Sequence, residues 1–351
     1  MSFQISTTVQ VNNFAAIIAE LIDHMGALQA KYHVEGNQHH FDIGFGKICF
    51  QVESQKCSIF LSAEDEICLA RIKDLTVTSF AYFTKQEAQE FIWAGDQLDE
   101  TSLEQFRVLE VENIFHLSPH MLRVRLTGEN LKRFSLFGSM HAKLLFPAHE
   151  GFDPVWPIRG KNGLPHWLDD KNKPISRSYT IRNLNIEAGW LEIDFYIHET
   201  DGISCRWAQN AQIGDKIGIL GPVGRPIPNV GHYILGADPT GLPALGRILE
   251  NLPDTATGHA IITIDELADK QDIKHPKGIN IEWIISQDQI AAAKTLTQKL
   301  QNFTWPEHDD VYAWFAGEAS QAKILREYWR DTLKKGRDKV LASAYWTLNE
   351  K

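Results

Sequence analysis

The spacing of apolar residues changes character once, near residue 230, and that change divides the chain. Between residues 106 and 220 apolar stretches come densely, at 106–115, 121–127, 142–146, 178–183, 191–197 and 216–220, with Gly214-Asp215 and Gly221-Pro222 among the turns between them. Strands in close succession with few helices predict a closed antiparallel β-barrel. From about residue 231 the pattern alternates. Apolar runs at 233–235, 260–264, 281–285, 311–315 and 340–344 are separated by helix-patterned segments at 241–252, 289–301 and 320–335. Parallel strands need helical crossovers, so this half predicts an α/β domain with a parallel sheet.

Residues 1–100 read as a third unit, of α+β type. Phe14, Ile17, Ile18, Leu21, Ile22, Met25 and Leu28 form a helical apolar stripe, with Asn12 or Asn13 as N-cap and an end near Ala30. Short strands at 41–43, 47–52 and 58–62 and a second helix within 64–83 follow, and a polar, acidic stretch at 94–105 reads as a linker. The expected organisation is multidomain: an α+β domain over 1–100, a barrel over 106–230 and an α/β nucleotide-type domain over 231–351. A net charge of −10 argues against nucleic acid as a partner. No apolar run is long enough for a membrane helix. Met1-Ser2-Phe3-Gln4 has neither the basic start nor the apolar core of a signal peptide. A cytoplasmic location without a membrane partner is the expectation. Cys49, Cys57, Cys68 and Cys205 match no zinc or iron–sulfur spacing and read as small buried apolar residues.

Chemistry concentrates at Arg177-Ser178-Tyr179-Thr180, on a predicted strand. Residues 177 and 179 share one face of the strand and residue 180 takes the other. A guanidinium can grip a diphosphate bidentately, a phenol ring can cover a flat heterocycle, and a threonine hydroxyl can bond a ring nitrogen. The set suits a flavin dinucleotide. Downstream, Leu191, Ile193, Phe195 and Ile197 alternate with polar residues and lead into His198, after which Gly202 opens a short helical stretch. Unpaired N–H groups at a helix start attract phosphate, and Ser204 adds a hydroxyl in that first turn. A second nucleotide-type turn, Gly236-Ala237-Asp238-Pro239-Thr240-Gly241, follows the apolar Tyr233-Ile234-Leu235 and precedes a helix. Strand, glycine-rich turn and helix belong to doubly wound nucleotide folds, although the G-x-G-x-x-G fingerprint is not matched.

In order and spacing these segments resemble the siderophore-interacting proteins, which are FAD-dependent ferric-siderophore reductases. The resemblance runs from about Phe106 to the C-terminus. It is carried by His141-Ala142-Lys143-Leu144-Leu145-Phe146-Pro147, residues 177–182 and 198–207, Gly221-Pro222, residues 236–244, Ala316-Gly317-Glu318-Ala319-Ser320 and Ala342-Ser343-Ala344-Tyr345-Trp346. It implies a ferredoxin-reductase-like layout, with FAD on the barrel and a nicotinamide donor arriving at the C-terminal edge of the parallel sheet. It assigns Arg177 to the flavin diphosphate, Ser178 and Tyr179 to the flank of the isoalloxazine, and Thr180 to the N5 region. Gly202, Ile203 and Ser204 would hold phosphate. His198 either lies near the adenine side of the cofactor or packs at a strand end. Asp238 and Thr240 fall in the nicotinamide-side turn. Gly317 and Glu318 form the other turn there, serving either a nucleotide or a helix cap by Ser320. Lys143 is implied as a siderophore contact, with Arg159, Lys161, Lys173 and Lys351 as candidates to complete a basic pocket within an acidic body. The first hundred residues resemble a small bacterial domain family of unknown function. They hold no flavin or nicotinamide motif, so they are expected to be dispensable for flavin binding.

Two departures from the family bear on the electron donor. The usual Asp-Glu-Thr-Ala reads Asp238-Pro239-Thr240-Gly241 here, and Ser286 stands where a basic residue often follows Trp283. Asp265-Glu266 would oppose a 2′-phosphate. NADH is therefore favoured over NADPH, with reduced ferredoxin as a further donor. The absence of cysteine after residue 205 excludes the reductase class that carries a two-iron cluster near its C-terminus. No side chain is expected to act as a catalytic acid or base, because the flavin carries the chemistry, and no resident metal is expected. Two rival readings remain: a general NAD(P)H:flavin or quinone reductase, and a flavin-bearing siderophore carrier without turnover.

Overall fold

The computed structural model describes residues 2–11, 14–84, 90–96, 103–135, 139–149, 154–160, 164–198, 202–308 and 310–348. The N-terminal unit is a six-stranded sheet in the order Lys31–Glu35, Gln38–Asp42, Lys47–Glu53, Lys56–Ala63, Phe3–Gln10, Ala94–Gly95, every neighbouring pair antiparallel. Helices Phe14–Gly26 and Glu66–Thr84 share its core with Ile5, Val9, Phe41, Phe50 and Ile59. The second helix has its cap in Asp65, whose carboxylate accepts from Cys68 N at 2.7 Å. The Asn12 and Asn13 cap lies outside the described residues. Strand Phe3–Gln10 lies between Lys56–Ala63 and Ala94–Gly95, although the sequence reading passed over it.

The linker reading of 94–105 needs correction. Ala94 and Gly95 pair with Ser6 and Ile5, and Asp96 accepts from Gln4 N at 2.6 Å. A Cβ on Gly95, whose φ is +130°, would sit 2.3 Å from Gln4 O, so this edge is built for glycine. At the far end Leu103 packs with Leu145 and Leu220 of the next domain.

The barrel closes in the order Ile175–Asn185, Trp190–Tyr196, Met121–Thr127, Phe106–Ser118, Lys216–Val223, His141–Phe146. Alternation turns Leu144, Phe146, Ile181, Ile193 and Phe195 into its core. On the outside, cross-strand partners Arg123 and Asp194 form a two-pronged ion pair at 2.6 and 2.8 Å.

The C-terminal domain is a parallel sheet in the order Gly278–Ile285, Thr257–Ile264, His232–Ala237, Val311–Glu318, Val340–Trp346. The winding reverses between His232–Ala237 and Val311–Glu318, which opens a crevice at their C-terminal ends. Among the described residues, no helix is long and apolar enough to cross a membrane.

The domains are locked rather than strung together. Arg182, buried on the barrel, holds Glu250 of helix Leu242–Asn251 through two 2.6 Å bonds. Gly246 makes room for it, since a Cβ there would lie 3.2 Å from the guanidinium. Tyr196 donates to Asp265 at 2.5 Å, and Ser118 donates to Asp269 at 2.7 Å. The N-terminal domain joins both others. Arg133 of the barrel stands 3.5 Å from Asp74, and Arg337 of the α/β domain stands 2.5 Å from Asp23. Leu164 of the long insertion packs on the N-terminal core.

Candidate functional site

A cleft of about 620 Å³ opens where strand Ile175–Asn185 faces the crevice of the parallel sheet. It gathers side chains from far apart in the sequence: Arg177, Tyr179, Thr180, His198, Ser204, Thr240, Tyr345 and Trp346 all line it.

Each is held by its own local cause. The Tyr179 ring rests against Phe195 at 4.6 Å and Phe146 at 6.1 Å, and its hydroxyl is hydrogen-bonded to Ser204. Burial pushes that phenol's pKa up, so it stays protonated. Thr180 is buried and bonded to the Tyr345 hydroxyl, which also meets His141 Nε2. The His141 and Tyr345 rings stand perpendicular at 5.6 Å. Burial, helped by the Arg247 charge, pushes His141 down to about 4, so the imidazole is neutral near pH 7. Arg177 is exposed; its guanidinium bonds only the Ser176 carbonyl, at 2.9 Å, and no carboxylate pairs with it among the described residues. Ser178 is exposed beside it.

Helix Ile203–Asn210 starts at Gly202 in extended backbone (φ −77°, ψ 138°), with no side-chain cap. A Cβ on Gly202 would meet nothing within 4 Å. Among the described residues no side chain caps the first N–H groups of the helix, and Arg177 lines the cleft beside them. Their orphan donors and positive dipole end suit a phosphate. Beyond the same helix a second cavity, about 1410 Å³, is lined by Ile203, Arg206 and Trp207 and by Trp156 of the insertion. His198 lines the cleft and packs on Tyr196 at 5.7 Å, with Nε2 3.5 Å from Cys205 Sγ. Burial lowers its pKa.

The carboxylates of the two turns at the C-terminal edge of the parallel sheet are engaged within the protein. Asp238 is buried. One oxygen accepts from Thr240 N at 2.9 Å, Thr240 Oγ1 at 2.5 Å and Gly241 N at 3.1 Å, and the other from Trp346 Nε1 at 2.7 Å. It shapes the turn and ties the C-terminal strand to it, leaving Thr240 in the cleft wall. Gly241 and Gly317 are spacing requirements here. A Cβ would lie 2.5 Å from Ala316 O at the first and 2.6 Å from Asp238 Oδ2 at the second. Glu318, not Ser320, caps helix Ala319–Glu327, accepting from Ser320 N at 2.7 Å and Gln321 N at 3.2 Å. Its other oxygen accepts from Leu348 N at 3.3 Å.

Of the residues expected to form a basic pocket, the described ones, Lys143, Arg159 and Lys173, do not line the cleft. Lys143 is exposed and paired across strands with Ser178 and Leu220, beside the cleft wall rather than within it. Lys173 covers Trp167 at 4.4 Å. Arg159 sits in the small pairing of Ile158–Arg159 with Pro165–His166. Lys161 and Lys351 lie outside the described residues. The arginine that does enter the cleft with Arg177 is Arg225, which the sequence reading missed. Its only local signal is the turn Gly221-Pro222-Val223-Gly224 before it.

Comparison with known proteins agrees with this arrangement. Residues 110–226 match the profile described as the siderophore-interacting FAD-binding domain, and residues 230–349 match that described as siderophore-interacting protein. The chain belongs to the siderophore-interacting protein family. A ferric vibriobactin reductase of Vibrio cholerae is 32% identical over 246 residues, covering 68% of this chain and 89% of that one. An NADPH-dependent ferric-chelate reductase of Escherichia coli is 31% identical over 250 residues, covering 69% and 92%. The crystal structure of a siderophore-interacting protein from Aeromonas hydrophila superposes with a TM-score of 0.61 at 30% identity, over 70% of this chain and 93% of that one. The two matched segments are consecutive, and the cleft described above lies between the barrel and the α/β domain that they cover.

Proposed function

We propose that this chain is an FAD-dependent reductase of ferric siderophores that draws electrons from a reduced nicotinamide dinucleotide. The observation that carries the reading is the meeting, in one cleft, of Arg177, Tyr179, Thr180 and an uncapped helix start with the switch point of a parallel sheet. Bound FAD supplies the redox chemistry, accepting an electron pair and giving up single electrons. The protein supplies position. Arg177 and the N–H groups after Gly202 would hold the diphosphate. Tyr179, braced by Phe195 and Ser204, would orient the isoalloxazine, with Thr180 beside it in the cleft wall. The cavity beyond the helix, lined by Arg206 and Trp207, would have room for the adenine end. Fe(II) is a poorer partner than Fe(III) for hard oxygen ligands, so reduction loosens the metal.

The test is direct. The protein is loaded with FAD, reduced without oxygen and mixed with a ferric siderophore in the presence of a ferrous-specific chromogenic chelator. Reoxidation of the flavin with matching appearance of the ferrous complex is the expected result. A protein that takes up no FAD, or whose reduced flavin ignores the ferric complex, ends the proposal.

For the donor, NADH is expected to reduce the flavin at least as fast as NADPH. The edge of the sheet that meets the adenosine ribose carries Asp265, Glu266 and Asp269, with Ser286 on the neighbouring strand end. A 2′-phosphate brought there would meet three carboxylates, offset in part by His120, which is bonded to Asp269 at 2.8 Å, and by Lys270, which lies over Trp283 at 6.0 Å. Stopped-flow flavin bleaching with each donor decides this, and a strong preference for NADPH overturns it.

A further inference from the structure

The outer face of the N-terminal sheet carries donor groups that the reductase chemistry does not use. Helices Phe14–Gly26 and Glu66–Thr84 pack on the face that carries Phe41, Ile48, Phe50, Ile59 and Leu61. Alternation turns the residues between these the other way. There the register lays His33 opposite His40, His40 opposite Cys49 and Cys49 opposite Phe60, in one row over four adjacent strands. The row lines an open trough of about 570 Å³ that shares no residue with the cleft between barrel and parallel sheet.

Three observations single out one end of that row. First, Glu35 stands two residues beyond His33 on strand Lys31–Glu35 and so shares its face, with Oε1 3.7 Å from His33 Nε2. Second, the rings of His33 and His40 lie nearly parallel, at 6°, with centroids 4.7 Å apart. Two imidazoles and a carboxylate therefore rise from the corners of a small triangle, two from one strand and the third from directly across. Its sides are about 5 Å across the strands and about 7 Å along one of them. Third, His40 Nε2 is closed off from water and has no hydrogen-bond partner among the described residues. A buried ring nitrogen without a partner is costly, and a bound ion satisfies it. The His33 and Glu35 side chains are 62% and 72% exposed, so both can turn toward a cation while the backbone stays in place. Cys49 lies two strands from His33, about 10 Å away, too far to share one ion with it.

Two imidazoles and one carboxylate, with further positions open to water, suit Zn(II) or Fe(II) rather than Mg(II) or Ca(II), which take oxygen shells. A second group of converging donors, His120, Glu266 and Asp269, is already closed on itself, because Asp269 accepts from Ser118, His120 and the Glu266 backbone. We propose that His33, Glu35 and His40 form a binding site for a divalent first-row transition-metal cation on the N-terminal domain. Its cargo is Fe(II), the product of the proposed reduction; that assignment, unlike the site itself, rests on the reductase reading above. The N-terminal domain then takes up the ion that the other two domains set free.

The test uses the full-length, FAD-loaded protein and metal salts alone, so that binding is read without turnover. Zn(II) and Co(II) are titrated by calorimetry, and Fe(II) by equilibrium dialysis without oxygen, into the parent, His33→Gln, His40→Gln and Glu35→Gln. The parent should take up one ion per chain, and its Kd should rise about tenfold or more in each histidine variant. Glu35→Gln, at an exposed position, should weaken binding in the same direction and keeps the test decisive if His40→Gln fails to fold. Mg(II) in large excess should not compete. His39→Gln should bind as the parent does, since His39 turns to the core side, against Phe14. A parent that binds no ion, an ion held equally by both histidine variants, or ready competition by Mg(II) each overturn the site. An ion lost only in His120→Gln belongs to the Asp269 group and overturns it too. Uptake of Zn(II) and Co(II) without Fe(II) overturns the iron assignment. Parent protein that binds added Fe(II) through His33 and His40 but never reduces a ferric complex would overturn the reductase reading and leave the site standing.

Discussion

Arg177→Ala is expected to lose FAD, with the dissociation constant rising about ten- to a hundredfold. A hydrogen bond to a charged group is worth about 1.5–3 kcal/mol, and each ~1.4 kcal/mol is a factor of ten. Arg177 is fit for that contact because, among the described residues, its guanidinium bonds only the carbonyl of its neighbour Ser176. The same fact predicts that the apoprotein's unfolding midpoint barely moves in the variant. Arg177→Lys should restore only part of the affinity, because a point charge cannot present the planar fork that grips a diphosphate. Fluorescence titration of apoprotein with FAD, beside a denaturant curve of the same sample, checks both statements. Parent-like affinity would place the diphosphate elsewhere; a large fall in stability would make Arg177 a structural residue.

The architecture was largely legible because two periods govern it. The barrel strands and the alternating strands and helices of residues 231–351 lie where period-2 and period-3.6 patterns put them, within a few residues at the ends. Strand Phe3–Gln10 was missed although Ile5 and Val9 alternate with polar residues; with Ser, Thr and Gln between them, the pattern carried little hydrophobic weight. Ala94–Gly95 could not be read locally, since its partner lies ninety residues away and its requirement is the close approach of Gln4. The site divides in the same way. Arg177, Tyr179 and Thr180 are one strand segment, so their spacing announces a shared purpose. Asp238 and Glu318 are conspicuous in sequence, yet their carboxylates satisfy Thr240, Trp346 and Ser320. Arg225 stands out only once Asp23, Arg330 and Arg337 are brought around it, and no local pattern encodes that meeting.

Arg133→Ala is expected to cost roughly 3–5 kcal/mol of stability, the usual price of leaving a buried charge unpaired. Arg133 is 2% exposed. It donates to Gly221 O at 2.8 Å and to Glu104 O, and it stands 3.5 Å from Asp74 on helix Glu66–Thr84. One side chain thus ties the N-terminal domain to the turn that precedes Arg225. Asp74 makes the loss depend on pH. Burial pushes its carboxyl up from 3.8 to about 6, outweighing the opposing pull of Arg133, Arg71 and Lys73. A carboxyl that binds its proton more tightly folded than unfolded stabilises the fold while protonated. That contribution is full below the ordinary value and is lost as pH rises through about 6. Without Arg133 the largest of those opposing charges is gone, so the folded carboxyl titrates higher still. The variant's deficit should therefore be smaller at about pH 5 than at about pH 8, and Asp74→Asn should remove most of that dependence from the double variant. Urea unfolding of parent, single and double variants at both pH values tests the scheme. A deficit independent of pH would mean that Arg133 acts through its carbonyl contacts alone and that the ion pair across the domain seam contributes nothing.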